Sequence, residues 1–119
     1  MAAYRLTQPA RSDIVRVLTW SQDRFGIQAR MRYRALIDAA INDIAVEPTR
    51  VGSTERPELG DGVRTWHLRL SRDRSSAEPV HQPRHFLIYK LDQDVVVIGR
   101  VLHDIMDLAR HVEPDTIWE

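Results

Sequence analysis

The chain has no cysteine, which removes disulfide frameworks and zinc–thiolate centres at once. No apolar run approaches the ~20 residues that a membrane-spanning helix needs. The N-terminal segment MAAYRLTQP has no apolar core of a secretory signal either. A cytoplasmic protein without a membrane role is the expectation. Charge of one sign is missing as well: 17 basic and 17 acidic residues cancel. The chain as a whole therefore lacks the positive excess of a generic nucleic-acid binder. Lysine is nearly absent, since Lys90 is the single one among those 17 basic residues and the rest are arginine. A rigid guanidinium fork suits carboxylate and phosphate recognition, although genomic base composition produces the same bias. Also missing are a glycine-rich phosphate loop, a serine–histidine–acid order and paired catalytic carboxylates. Gly60-Asp61-Gly62 reads as a turn. No cofactor is expected.

What is present is a chain of 119 residues, enough for one domain with a core and too short for two. A single domain is expected over 1–119, with 113–119 as an extended tail. Charge is uneven along it. Residues 64–84 hold five arginines against Asp73 and Glu78, a net of +3, whereas 104–119 hold Arg110 against five carboxylates, a net of −4.

Tyr4–Thr7 alternates as a short strand would, and Pro9 suits the first turn of a helix, where a missing N–H costs nothing. Ile14, Val17, Leu18, Ser21 and Phe25 follow at helical spacing, with Gly26 placed as a C-terminal cap. A second stripe runs through Met31, Tyr33, Leu36, Ile37, Ala40, Ile41 and Ile44 until Pro48. Two helices joined around Gly26 predict a helical hairpin.

Residues 49–62 are loop by composition. Val63–Leu70 alternates, with Trp66, Leu68 and Leu70 on one side and Thr65, His67 and Arg69 on the other. Ser71–Gln82 has no periodicity and reads as a long, mobile hairpin connection. His85–Leu91 and Val95–Leu102 read as strands, the second apolar on both faces and so central. A terminal helix is expected after an Asp104 cap, with Ile105, Leu108, Ala109 and Val112 at i, i+3, i+4 and i+7 and Pro114 as its end. The order is β-α-α-β-β-β-α, an α+β fold with the helical hairpin packed on a small antiparallel sheet.

Three segments in this order, GVRTWHLRL (Gly62–Leu70), PRHFLIYKL (Pro83–Leu91) and GRVLHDIMDLARHV (Gly99–Val112), resemble the ParE toxins of bacterial type II toxin–antitoxin systems, within the wider RelE/ParE superfamily. The resemblance runs from about Tyr4 to Val112. The Ser71–Gln82 connection departs from it, being longer than the family's usual tight turn. The resemblance implies a toxin that inhibits DNA gyrase by binding, without turnover of its own. It also implies neutralisation by a ParD-like antitoxin, a ribbon–helix–helix protein. The superfamily's other chemistry is ribosome-dependent cleavage of messenger RNA, as in RelE.

Each chemistry makes demands on residues. RNA cleavage through the 2′-hydroxyl needs a base, an acid and cations around the phosphorane. The candidates are Arg64, His67, Arg69, His85, Tyr89, Arg100 and His103, with alternation placing His67 beside Arg69 and His85 beside Tyr89 on their strands. The structural alternatives are that Arg100 pairs with a carboxylate and that His103 bonds backbone where its strand ends. His103, Asp107 and His111 recur at i, i+4 and i+8, but with no thiolate or further ligand no metal site is assigned. Antitoxin contacts are expected from Arg30, Arg32, Arg34 and Arg84, as charge-assisted bonds to an acidic amphipathic segment. No sequence-specific nucleic-acid binding is expected. Trp20 and Trp66 read as core, while Trp118 either packs back on the domain or meets a partner.

Overall fold

The computed structural model describes residues 3–105 and Trp118. The chain opens with strand β1 (Ala3–Leu6), and Thr7 then caps helix α1 (Gln8–Phe25). The Thr7 hydroxyl oxygen accepts from the Ala10 N–H at 3.2 Å and donates to the Gly99 carbonyl at 2.9 Å. One side chain thus starts the helix and ties it to the sheet. Pro9 lies in the first turn, where it forfeits no hydrogen bond.

Helix α2 (Ile27–Val46) follows after a single residue. That residue is Gly26, at φ +93°, a left-handed value that a side chain would resist. The hairpin packs through much of the two expected stripes: Val17, Leu18 and Ser21 from α1, and Tyr33, Leu36, Ile37, Ala40, Ile41 and Ile44 from α2, are buried. Two stripe members fall outside it. Phe25 and Met31 are 67% and 59% exposed, because both lie at the hairpin tip, past the edge of the sheet they would need to cover.

The sheet has five strands in the order β1-β5-β4-β3-β2, with β2 at Thr54–Glu55, β3 at Arg64–His67, β4 at His85–Asp92 and β5 at Val95–His103. Strands β2 to β5 form an antiparallel meander. Strand β1 pairs with β5 in parallel, from Ala3↔Val95 to Leu6↔Ile98, so the sheet is mixed rather than wholly antiparallel. Parallel neighbours need a long crossover, and here the helical hairpin and the first strands of the meander provide it. Short β2 was not read from the sequence.

Strand β5 is central, as its apolar run predicts, and Leu36, Ile44, Trp66, Leu87, Tyr89, Val96 and Ile98 form the core beneath the helices. Each such side chain contributes about 1.5–3 kcal/mol on burial. A second cluster, Leu59, Val63, Phe86, Ile88 and Leu102, lies apart from it, and Trp118 packs against that cluster. Trp118 therefore folds back on the domain. Its ring lies where a Cβ on Gly99 would stand, 2.8 Å from the nearest ring carbon, and the Lys90 ammonium sits 4.6 Å from the ring centroid. Residue 99 must be small for the ring to seat.

The segment after β3 differs from expectation. The strand stops at His67 instead of continuing to Leu70, and Leu68–Arg74 winds into a 3₁₀ helix. The cause is polar. The Ser71 hydroxyl donates to buried Asp43 of α2 at 2.6 Å and accepts the Trp66 indole N–H at 2.9 Å, while Arg74 reaches the same carboxylate at 2.8 Å. The first part of the connection read as mobile is thus pinned to α2. The expected terminal helix lies outside the described residues, apart from its first positions; Ile105, assigned to its apolar stripe, is 80% exposed. No helix among the described residues is long and apolar enough to cross a membrane.

Candidate functional site

Strand β3 ends at His67, β4 begins at His85 and β5 ends at His103, so the antiparallel meander brings three histidines to one end of the sheet. Register then divides them. His85 pairs with His103 and His67 with Phe86, so His67 projects from the opposite face to His85. His67 thus lies on one face of the sheet, and His85 and His103 on the other.

His85 is buried. The Arg84 N–H donates to the Tyr33 hydroxyl oxygen at 3.0 Å, and the same hydroxyl is hydrogen-bonded to His85 Nδ1 at 2.6 Å. Burial, and then the nearby His103, lower its pKa from the ordinary 6.5 to about 4. Burial likewise pushes the Tyr33 hydroxyl up to about 12, so its proton stays available. The Trp20 ring meets His85, Tyr33 and His103 edge-on at centroid distances of 5.4, 6.3 and 6.4 Å. Trp20 is half-buried in this aromatic cluster, joining the hairpin to the sheet end.

His67 is held differently. Its Nδ1 accepts the Arg69 N–H at 3.1 Å, so Nε2 bears the proton and faces Asp104 Oδ2 at 3.0 Å. His103 Nδ1 accepts the Ile105 N–H at 3.3 Å and stands 3.4 Å from the other Asp104 oxygen. Partial burial raises the Asp104 pKa, but the hydrogen bond from His67 and the neighbouring His103 and Arg84 outweigh it and hold the carboxyl below its usual range. His103 thus makes the backbone bond foreseen for it.

Three other candidates lie away from this end. The Tyr89 hydroxyl donates to the Pro48 carbonyl, and burial raises its pKa. The Arg100 guanidinium grips Asp13 of α1 through Nε at 2.6 Å and Nη2 at 3.1 Å, and the same carboxylate accepts the Val101 N–H at 3.0 Å. Asp13 is 3% exposed, so Arg100 neutralises a buried charge that fastens α1 to β5. Arg64 is turned toward Glu55 and Ser53. Among the described residues no group of histidines and carboxylates is arranged to hold a metal, and Asp107 and His111 fall outside them.

Two concavities open at the histidine end. One, of about 600 Å³, is lined by His67, Arg69, Arg72, His81, Arg84 and Asp104, among others. The other, of about 830 Å³, runs between the hairpin and the 78–82 loop, with Trp20, Phe25 and Val80 as apolar walls and Arg32 and Arg84 among its charged ones. Of the four arginines expected to meet an antitoxin, this groove thus collects Arg32 and Arg84. Arg30 is turned to Gln22 at 3.0 Å, and Arg34 is exposed elsewhere on α2. Arg72 and His81 were not singled out from sequence, because they lie in the aperiodic 71–82 segment. The net positive charge of residues 64–84 was the available signal.

A family model described as "ParE toxin of type II toxin-antitoxin system, parDE" matches residues 4–108. The chain belongs to the ParE toxin family. Toxin ParE1 of Caulobacter vibrioides is 28% identical to it over 112 residues, covering 94% of this chain and 99% of that protein. The likeness therefore spans both ParE chains almost end to end. Membership in the ParE family makes this chain a toxin of the type II class, with an antitoxin as its counterpart.

Proposed function

We propose that this ParE-family chain inhibits DNA gyrase in the cytoplasm, acting by binding, and that a ParD-like antitoxin neutralises it. The observation that carries the reading is the fate of the acid–base candidates. Tyr89 is committed to a backbone carbonyl, Arg100 to buried Asp13, and His85 is buried, neutral and bonded to Tyr33. A phosphoryl-cleaving site needs its base, acid and cations convergent on one reacting atom, and these three are dispersed and structurally engaged. Family membership supports the same reading.

The groove between the hairpin and the 78–82 loop supports antitoxin binding there. Apolar walls from Trp20, Phe25 and Val80 beside Arg32 and Arg84 suit an amphipathic segment that carries carboxylates.

A supercoiling and DNA-cleavage assay with purified toxin tests the gyrase reading. Lost supercoiling with accumulation of cleaved DNA is expected; no effect at micromolar toxin overturns it. One observation favours the alternative, ribosome-dependent messenger-RNA cleavage: the His67–Asp104 pair stands beside Arg69 and Arg84. That alternative requires lost translation with supercoiling intact, and sensitivity to His67 or Arg69 substitution.

A further inference from the structure

The smaller concavity gathers arginines that form no ion pair with a carboxylate among the described residues. Five arginines are committed to carboxylates of the fold: Arg16 and Arg100 with Asp13, Arg50 and Arg74 with Asp43, Arg64 with Glu55. Arg69, Arg72 and Arg84 have none among the described residues, and all three line the same depression. They come from two segments separated in sequence, the 3₁₀ helix after β3 and the turn into β4. His67 and His81 line it too. Among the described residues its one carboxylate, Asp104, is engaged by His67 and His103. A second observation is independent of this count. The Arg72 Nε is buried and has no hydrogen-bond partner. Buried donors are almost always met, so this N–H gains a partner only if the Arg72 side chain turns to an acceptor entering a concavity that it lines.

We propose that this depression binds a phosphate group of the DNA backbone. Three guanidinium forks around one site exceed what a single carboxylate can use, and their planar geometry matches paired phosphate oxygens. The contact is to backbone and carries no sequence information; it draws on the local positive charge of residues 64–84, since the chain as a whole is neutral. The choice of DNA rests on the gyrase reading, since a gyrase inhibitor works beside a DNA duplex. Duplex binding is nevertheless measured without gyrase, so failure of one is visible apart from failure of the other.

The test uses the purified chain and a fluorescent duplex of about 20 base pairs, titrated by anisotropy at several salt concentrations between about 50 and 200 mM. Wild type should bind with an affinity that falls steeply with salt. Arg69→Gln and Arg84→Gln, both at exposed positions, should each weaken binding and reduce the salt slope by about 1. Arg11→Gln, at an exposed position on α1 outside the depression, should leave both unchanged. Arg72→Lys keeps the charge but loses the buried Nε donor and should also weaken binding; a melting curve on each variant verifies its fold. Inorganic phosphate and a polyglutamate peptide are the competing probes. Undetectable duplex binding at low salt, or Arg69→Gln and Arg84→Gln variants that bind as wild type does, overturns the proposal. So does competition by polyglutamate equal to that by duplex, which marks a carboxylate site. A melting temperature raised by phosphate without any duplex binding marks a free-phosphate site and also overturns it.

Discussion

The Tyr33 hydroxyl stands 2.6 Å from His85 Nδ1 while accepting the Arg84 N–H, so a residue of the second helix caps a histidine buried at the sheet end. This makes stability pH-dependent. Burial and His103 lower the His85 pKa from 6.5 to about 4. Between those values the unfolded chain takes up a proton that the folded chain does not. Stability is therefore complete above the unfolded value and falls as pH drops from about 6.5 toward 4, by about 3 kcal/mol in all. Asp104, held below its usual range, adds a loss only at lower pH, as its own carboxylate protonates. Urea unfolding across this range should show the slope in wild type and a much smaller one in His85→Gln. An equal slope in both would refute the assignment.

The Asp13–Arg100 pair makes a different prediction. Arg100→Met leaves a carboxylate that is 3% exposed without its strongest partner, and should cost about 3–5 kcal/mol of stability. Asp13→Asn in the same background should restore part of it, since a neutral amide no longer needs the cation. Denaturant midpoints of the two single variants and the double variant measure the coupling. Additive effects would mean that the pair is not a unit.

Gly99 and Trp118 should behave as lock and key. Gly99→Ala puts a methyl 2.8 Å from the indole ring, and overpacking of this kind typically costs about 1–3 kcal/mol. Trp118→Ala in the same chain should remove that penalty. Thermal melts of the single and double variants decide it; a Gly99→Ala penalty unchanged by removal of Trp118 would locate the strain elsewhere.

For antitoxin binding, the groove ranks the four arginines. Arg32→Ala and Arg84→Ala should each weaken the antitoxin about tenfold, or about 1.4 kcal/mol. Arg30→Ala and Arg34→Ala should change it by less than about threefold, as exposed charges do. Calorimetric titration of each variant gives the order. If all four single variants, and the fourfold variant, bind like wild type, the antitoxin uses another surface.

Legibility of the sequence varied with the range of the forces involved. Helix α1 was plain from Pro9 to Gly26, and α2 from its stripe, because helical periodicity and backbone stereochemistry are local. Strands β4 and β5 were plain from their apolar runs. The end of β3 was not, because the bonds that stop it come from Asp43, 28 residues from Ser71. Alternation failed beyond His67, where the chain winds into the 3₁₀ helix, and it could not say that His67 and His85 face opposite ways, since that depends on register between strands.

By itself the sequence determined the α+β order, the family resemblance and the concentration of arginine in residues 64–84. Those follow from covalent order, side-chain periodicity and composition. Tertiary structure alone decided which arginines are spoken for. Asp13 and Asp43 are buried carboxylates, and a buried charge recruits a counter-ion across any sequence distance, so Arg100, Arg50 and Arg74 are committed to the fold. Arg69, Arg72 and Arg84 are the same residue type a few positions away, yet among the described residues no buried carboxylate pairs with them. That difference follows from where the buried carboxylates sit, which sequence order alone does not reveal.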